Sequence, residues 1–137
     1  MFQKITISAT VNQNIEKSWA AWTLPEHIVN WNFASEDWQC PSASNDLRIG
    51  GSFNWRMEAK DGSFGFDFEG EYTNIVNHQI IEYKLGDERQ VKITFEQVEG
   101  GTLVIEAFDA ETENPIEMQQ MGWQMILNNY KKHAESL

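Results

Sequence analysis

A single cysteine, Cys40, stands in the chain. One thiol excludes an internal disulfide and any metal site built on clustered thiolates. Cations are scarce: 10 Lys and Arg stand against 21 Asp and Glu, for a net charge of -11. That imbalance excludes a phosphate-backbone binder and an anionic-membrane binder, both of which need clustered cations. No apolar run approaches the roughly 18 residues that cross a bilayer. The histidines His27, His78 and His133 lie far apart, without a neighbouring Cys or acid at ligand spacing, so no metal site is expected. Asp109-x-Glu111-x-Glu113 lacks the glycine and distal glutamate of a calcium loop and reads as a solvated acidic turn. Neither a glycine-rich phosphate loop nor a serine-centred nucleophile elbow is present. Cys40 has no His or Asp placed by sequence to activate it. No cofactor is expected. The opening Met-Phe-Gln-Lys runs directly into an alternating pattern, so it reads as a strand rather than a secretion signal. A cytoplasmic protein is the resulting expectation.

What the chain does have is enough apolar material for one core. Its 137 residues are 41% hydrophobic and fit one domain over 1–137, with no linker or internal repeat. Aromatics make up 12%, including six Trp and eight Phe. Such flat, bulky side chains favour a sheet face or a pocket wall.

Periodicity divides the chain. Ile5, Ile7, Ala9 and Val11 alternate with polar residues, the period of a half-buried strand. Asn14 is placed to cap a short helix whose apolar face carries Ile15, Trp19 and Trp22. Pro25 starts a second short helix, which turns Ile28 and Trp31 toward the same interior. The stretch from Asn32 to Asn45 has no clean period and reads as a loop. Beyond Asp46 the period is two again. Gly50-Gly51 marks a turn, Phe53, Trp55 and Met57 share a strand face, and Asp61-Gly62 signals a hairpin. Phe64, Phe66, Phe68 and Tyr72 answer on the next strand. Ile81, Tyr83 and Leu85, then Val91, Ile93 and Phe95, follow on two more. Gly100-Gly101 turns into a last strand through Leu103 to Phe108. Connections this short make the neighbours antiparallel. At Asn114-Pro115-x-Glu117 the pattern changes to a capped helix start with proline at the first helical position. Met118, Met121, Gly122, Met125, Ile126 and Tyr130 then recur at helical spacing over about five turns.

An antiparallel sheet with an aromatic face must cover that face, and the long C-terminal helix is the natural cover. A twisted sheet curls around a helix without meeting it everywhere, which leaves room for a cavity. The expected lining is Phe53, Trp55, Met57, Phe66, Phe68 and Tyr72 from the sheet, with Met118, Met121 and Met125 from the helix. Methionines would make that helix wall adaptable. Trp31, Tyr83, Phe95, Phe108 and Gly122 complete the set. The same stripes would also serve as plain core.

The run Ile15-Glu16-Lys17-Ser18-Trp19-Ala20-Ala21-Trp22-Thr23, with Pro25-Glu26-His27 and Trp31, resembles the opening of the Hsp90 ATPase activator homologue (AHSA1-like) family. The likeness continues through Asp46-Leu47-Arg48-Ile49-Gly50-Gly51, Met57-Glu58-Ala59-Lys60-Asp61-Gly62 and Phe66-Asp67-Phe68-Glu69-Gly70. It ends in Phe108-Asp109-Ala110-Glu111 and Asn114-Pro115-x-Glu117-Met118-Gln119-Gln120-x-Gly122-Trp123, so it spans essentially the whole chain. Leu24 departs from it, where relatives usually carry a helix-capping Asp. The resemblance implies the α+β helix-grip fold of the START/SRPBCC (Bet v 1-like) superfamily. In that fold a curved antiparallel sheet of about six or seven strands wraps a long C-terminal helix, with two short helices after the first strand. It also implies an internal cavity of the kind relatives use for lipids, sterols, polyketides or other apolar molecules. One fold hosts many functions, so it fixes no activity.

Glu106 is the candidate acid. Val104, Glu106 and Phe108 share one face of the last strand, and Leu103, Ile105 and Ala107 share the other; alternation alone does not choose between them. Relatives turn the Val104 face inward, which implies a Glu106 inside the pocket, able to act as a general base or a ligand anchor. The alternatives are a rim position or pairing with an arginine such as Arg48 or Arg56. The leading expectation is a non-catalytic binder of a small hydrophobic molecule. A stress-linked partner of an Hsp90-type chaperone and a cyclase- or hydrolase-like enzyme using Glu106 stand beside it. Monomer and homodimer both remain open, since an exposed edge strand can pair with its copy.

Overall fold

The computed structural model describes residues 2–137; Met1, the first residue of the expected N-terminal strand, lies outside the described residues. The order of elements is β1 (Lys4–Val11), α1 (Ile15–Thr23), α2 (Pro25–Ile28), β2 (Trp38–Asn45), β3 (Ser52–Ala59), β4 (Gly65–Val76), β5 (Ile80–Leu85), β6 (Gln90–Val98), β7 (Gly101–Asp109) and α3 (Ile116–Glu135). Seven antiparallel strands make one sheet in the order β1-β7-β6-β5-β4-β3-β2. It is a curved half-barrel closed by α3, the α+β helix-grip architecture.

Alternation decides which side of each strand is buried. On β7 the buried residues are Thr102, Val104, Glu106 and Phe108, and on β3 they are Phe53, Trp55, Met57 and Ala59. The β6–β7 hairpin is tight because Gly101 holds φ 140, and a Cβ there would collide with the Val11 carbonyl. Asn14 caps α1 by accepting a 2.8 Å hydrogen bond from the Lys17 amide, and Pro25 opens α2. Leu24 caps α2 with no side-chain hydrogen bond.

Two expectations change. Residues 38–45 form an edge strand rather than a loop, paired with β3 from Trp38↔Ala59 to Asn45↔Phe53. A register shift between Gln39 and Ser42 breaks its alternation around Pro41, and an edge strand tolerates a proline that cannot donate to the ladder. The cap of α3 is Pro115, not Asn114; Asn114 instead accepts a 2.8 Å hydrogen bond on its carbonyl from Gln119 Nε2.

α3 packs across β1 and against α1. Tyr130 is fully buried and donates its hydroxyl to the Ser18 carbonyl at 2.6 Å. Trp22 fills the junction, with its ring 4.8 Å from Tyr130 and 5.0 Å from Trp31. Trp31 Nε1 donates to the Ala21 carbonyl at 2.8 Å, fixing α2 beneath α1.

Candidate ligand cavity

Where α3 leaves β1 and passes over β3 to β7, the two layers separate. A cavity of about 240 Å³ remains between them. Trp55 and Met57 of β3, Phe66 and Phe68 of β4, and Tyr83 of β5 line its sheet side. Trp22, Trp31 and Asn32 close one end, and Trp123 and Ile126 of α3 form the roof. Phe66 is 41% exposed and marks the rim. The wall is mostly aromatic and rigid.

Glu106 lines this cavity at 5% exposure. Arg48 is engaged with Asp46, and Arg56 with Glu58 and Asp67, so neither serves as its counter-ion. Among the described residues no group hydrogen-bonds the carboxyl, and burial alone pushes its pKa up to about 8. At neutral pH it is protonated and can donate a hydrogen bond. Tyr83 is held well above its ordinary value, chiefly by burial and then by the charge of Glu106. Arg89 reaches the cavity from the β5–β6 turn, and its Nε is tied to Asp87 at 2.7 Å. Trp22 Nε1 is buried without a hydrogen-bond partner.

Seven of the expected residues therefore meet around one space: Trp31, Trp55, Met57, Phe66, Phe68, Tyr83 and Glu106. Phe53, Tyr72, Phe95 and Phe108 are on the inward face but are covered. Phe53 packs against Trp55 and Tyr83, with ring centres 4.7 Å away in both cases. Phe95 lies 5.1 Å from Trp19. Phe108 is stacked beneath Trp123 at 3.9 Å, and Tyr72 donates to Asn45 Oδ1 at 2.8 Å.

The helix wall of methionines is not there. Met118, Met121 and Met125 are 60%, 65% and 40% exposed, and nothing lies within 4 Å of the position a Gly122 Cβ would take. The cause is Gln119. Its Oε1 accepts from the Glu111 amide at 2.9 Å, and its Nε2 donates to the Glu111 and Asn114 carbonyls at 3.1 and 2.8 Å. This satisfied polar anchor turns Gln119, Leu127, Tyr130 and Ala134 inward and the methionines outward.

Trp22, Asn32, Arg89, Trp123 and Ile126 join the lining without having been expected there. Arg89 was findable, because it continues the inward row of Val91, Ile93 and Phe95 at period two. Trp123 follows from Gln119 by one helical turn. Asn32 carries no such signal. Burial raises the Cys40 thiol, which leaves it inert as a nucleophile. Among the described residues no group of three His, Cys, Asp or Glu is placed to hold a metal. Among the described residues no helix is long and apolar enough to cross a membrane.

Comparison with known proteins places this geometry in a family. Residues 12–135 match the family described as Activator of Hsp90 ATPase homolog 1-like protein. The solution structure of an AHSA1-like protein from Aeromonas hydrophila is 44% identical, with a TM-score of 0.92 over 98% of this chain and 93% of that one. A Cytophaga hutchinsonii protein is 47% identical, with a TM-score of 0.84 over 97% of this chain and 92% of its own. A Nitrosomonas europaea protein shares only 15% identity but the same fold, with a TM-score of 0.82 over 97% of this chain and 94% of the other. No curated protein matches. The chain belongs to the AHSA1-like family and has its helix-grip fold.

Proposed function

We propose that this protein binds a small apolar or aromatic molecule inside the cavity beneath α3. The observation that carries the reading is an aromatic-walled space of about 240 Å³ with a buried, unpartnered carboxyl on its wall. Open at the Phe66 rim, the pocket gains apolar contacts when a ligand replaces its solvent. An engineered cavity of about 150 Å³ already takes up benzene, so a substituted single ring fits. A ligand hiding about 300 Å² of apolar surface gains on the order of 7 kcal/mol before association costs, which supports micromolar affinity.

An enzyme using Glu106 as a general base is the weaker reading, because a carboxyl mostly protonated at neutral pH offers only a small fraction of free base. A chaperone partnership draws on the family description alone, whereas the cavity is a property of this chain. The test is a titration with single-ring aromatic compounds, followed by intrinsic fluorescence and thermal unfolding. Trp31, Trp55 and Trp123 line the space, so occupancy should change their emission and raise the melting temperature. Invariance of both signals across the set would remove the proposal.

A further inference from the structure

Three polar groups border the cavity without a partner among the described residues: the Glu106 carboxyl, the Tyr83 hydroxyl and Trp22 Nε1. Glu106 is 5% exposed, and Tyr83 is 2% exposed. Both line the same space. They stand on inward rows two strands apart, since Tyr83 faces Val91 and Val91 faces Phe108, two residues beyond Glu106. The two oxygens open onto the cavity, so a ligand that displaces its solvent leaves them unmatched unless it supplies an acceptor, and the pair describes the ligand group that would match it. Resting on the cavity reading above, we propose that the site selects aromatic molecules bearing a carbonyl, the ring held by the aromatic wall and the oxygen accepting hydrogen bonds from Glu106 and Tyr83.

The donor and acceptor inventory supports this choice over an amine or a hydrocarbon. A tyrosine hydroxyl and a protonated carboxylic acid are both O–H donors, and a carbonyl oxygen has two lone pairs. Such a pair in an apolar site is a proven way to hold a carbonyl oxygen. Burial keeps Glu106 protonated at neutral pH, so the pair presents no negative charge to attract an ammonium group. The charged and titratable groups facing Glu106 across the cavity are Tyr83 and Arg89. β3, β4, α1, α3 and the segment after α2 contribute Trp, Phe, Met, Ile and Asn side chains, none of which titrates. Arg89 is a cation and further opposes an amine ligand.

The test compares three compounds of one heavy-atom skeleton: acetophenone, α-methylstyrene, in which a methylene replaces the oxygen, and 1-phenylethylamine. Each is titrated into the intact protein by calorimetry. At neutral pH acetophenone should bind about tenfold more tightly than α-methylstyrene, the difference one to two buried hydrogen bonds make, and the amine should bind most weakly. Well above pH 8, where Glu106 ionises, the acetophenone advantage should collapse. Glu106→Gln retains a donor that cannot ionise, so it should keep the preference and lose its pH dependence. Tyr83→Phe should cut the preference several-fold with α-methylstyrene affinity unchanged; equal losses for both compounds would mean a purely structural Tyr83 and overturn its role. Equal affinity for acetophenone and α-methylstyrene, or tightest binding of the amine, overturns the carbonyl inference while leaving the cavity reading intact. Failure of all three to bind overturns both.

Discussion

A carboxyl that enters a largely apolar interior without a partner pays for it in the charged state, and Glu106 does so on the inward side of the sheet. The sign of the resulting pH dependence follows from linkage. Unfolded glutamate titrates at about 4.3, whereas burial pushes folded Glu106 up to about 8. Between those values the native state holds a proton that the unfolded chain has released, so stability falls as pH rises. The loss begins above the unfolded value, is complete once pH has passed the folded one, and runs at about 1.4 kcal/mol per pH unit. Denaturant unfolding across that window should therefore show wild type declining relative to Glu106→Gln, with the variant more stable by a few kcal/mol at the alkaline end. Parallel profiles for the two proteins would show that Glu106 ionises as freely in the fold as outside it.

Elements whose face is set by side-chain hydrophobicity were legible in the sequence. The rows Ile5-Ile7-Val11 and Phe53-Trp55-Met57 are buried as alternation requires. Elements whose face is set by polar bonding were not. The α3 register depends on the three hydrogen bonds of Gln119, which a hydrophobic count scores as a reason to face water. β2 was hidden by a bulge that breaks its period. Cavity residues share this division: Trp55, Phe68 and Tyr83 follow from strand parity, while Asn32 enters through the irregular segment after α2. α2 itself is tied to α3 by a polar contact, His27 Nδ1 to His133 Nε2 at 2.9 Å. One ring must donate and the other accept, so the contact needs at least one neutral imidazole. His133 is held below its ordinary value, mainly by burial and then by the charge of His27. Stability from this pair is therefore fully present above the unfolded histidine value of about 6.5 and is lost as pH falls through the lower folded value. Any stability advantage of wild type over His133→Gln should shrink on acidification in that range; an advantage constant with pH would mean that the pair does not titrate as a unit.

The whole molecule is a sheet that curls further than one helix can fill. α3 contacts β1 and α1 and leaves the β3–β4 side roofed only by Trp123 and Ile126, with Phe66 at the edge. Closing that space with protein would gain stability, since destabilisation grows by about 24 cal/mol for each Å³ of residual cavity. An open cavity is thus a stability cost that a binding function offsets whenever ligand is present, by RT ln(1 + [L]/Kd). Ile126→Phe puts this trade to the test. A ring in place of the Ile126 side chain adds apolar volume at the roof of the cavity. The filled protein should gain roughly 1 kcal/mol, equivalent to about 4 °C in melting temperature for a chain of this size. At the same time it should lose the ligand-induced shift seen in wild type. A variant that gains stability and still responds to the aromatic compounds would place their binding elsewhere, on the exposed methionine stripe of α3 or the rim aromatics, and would leave the interior as a packing defect rather than a site.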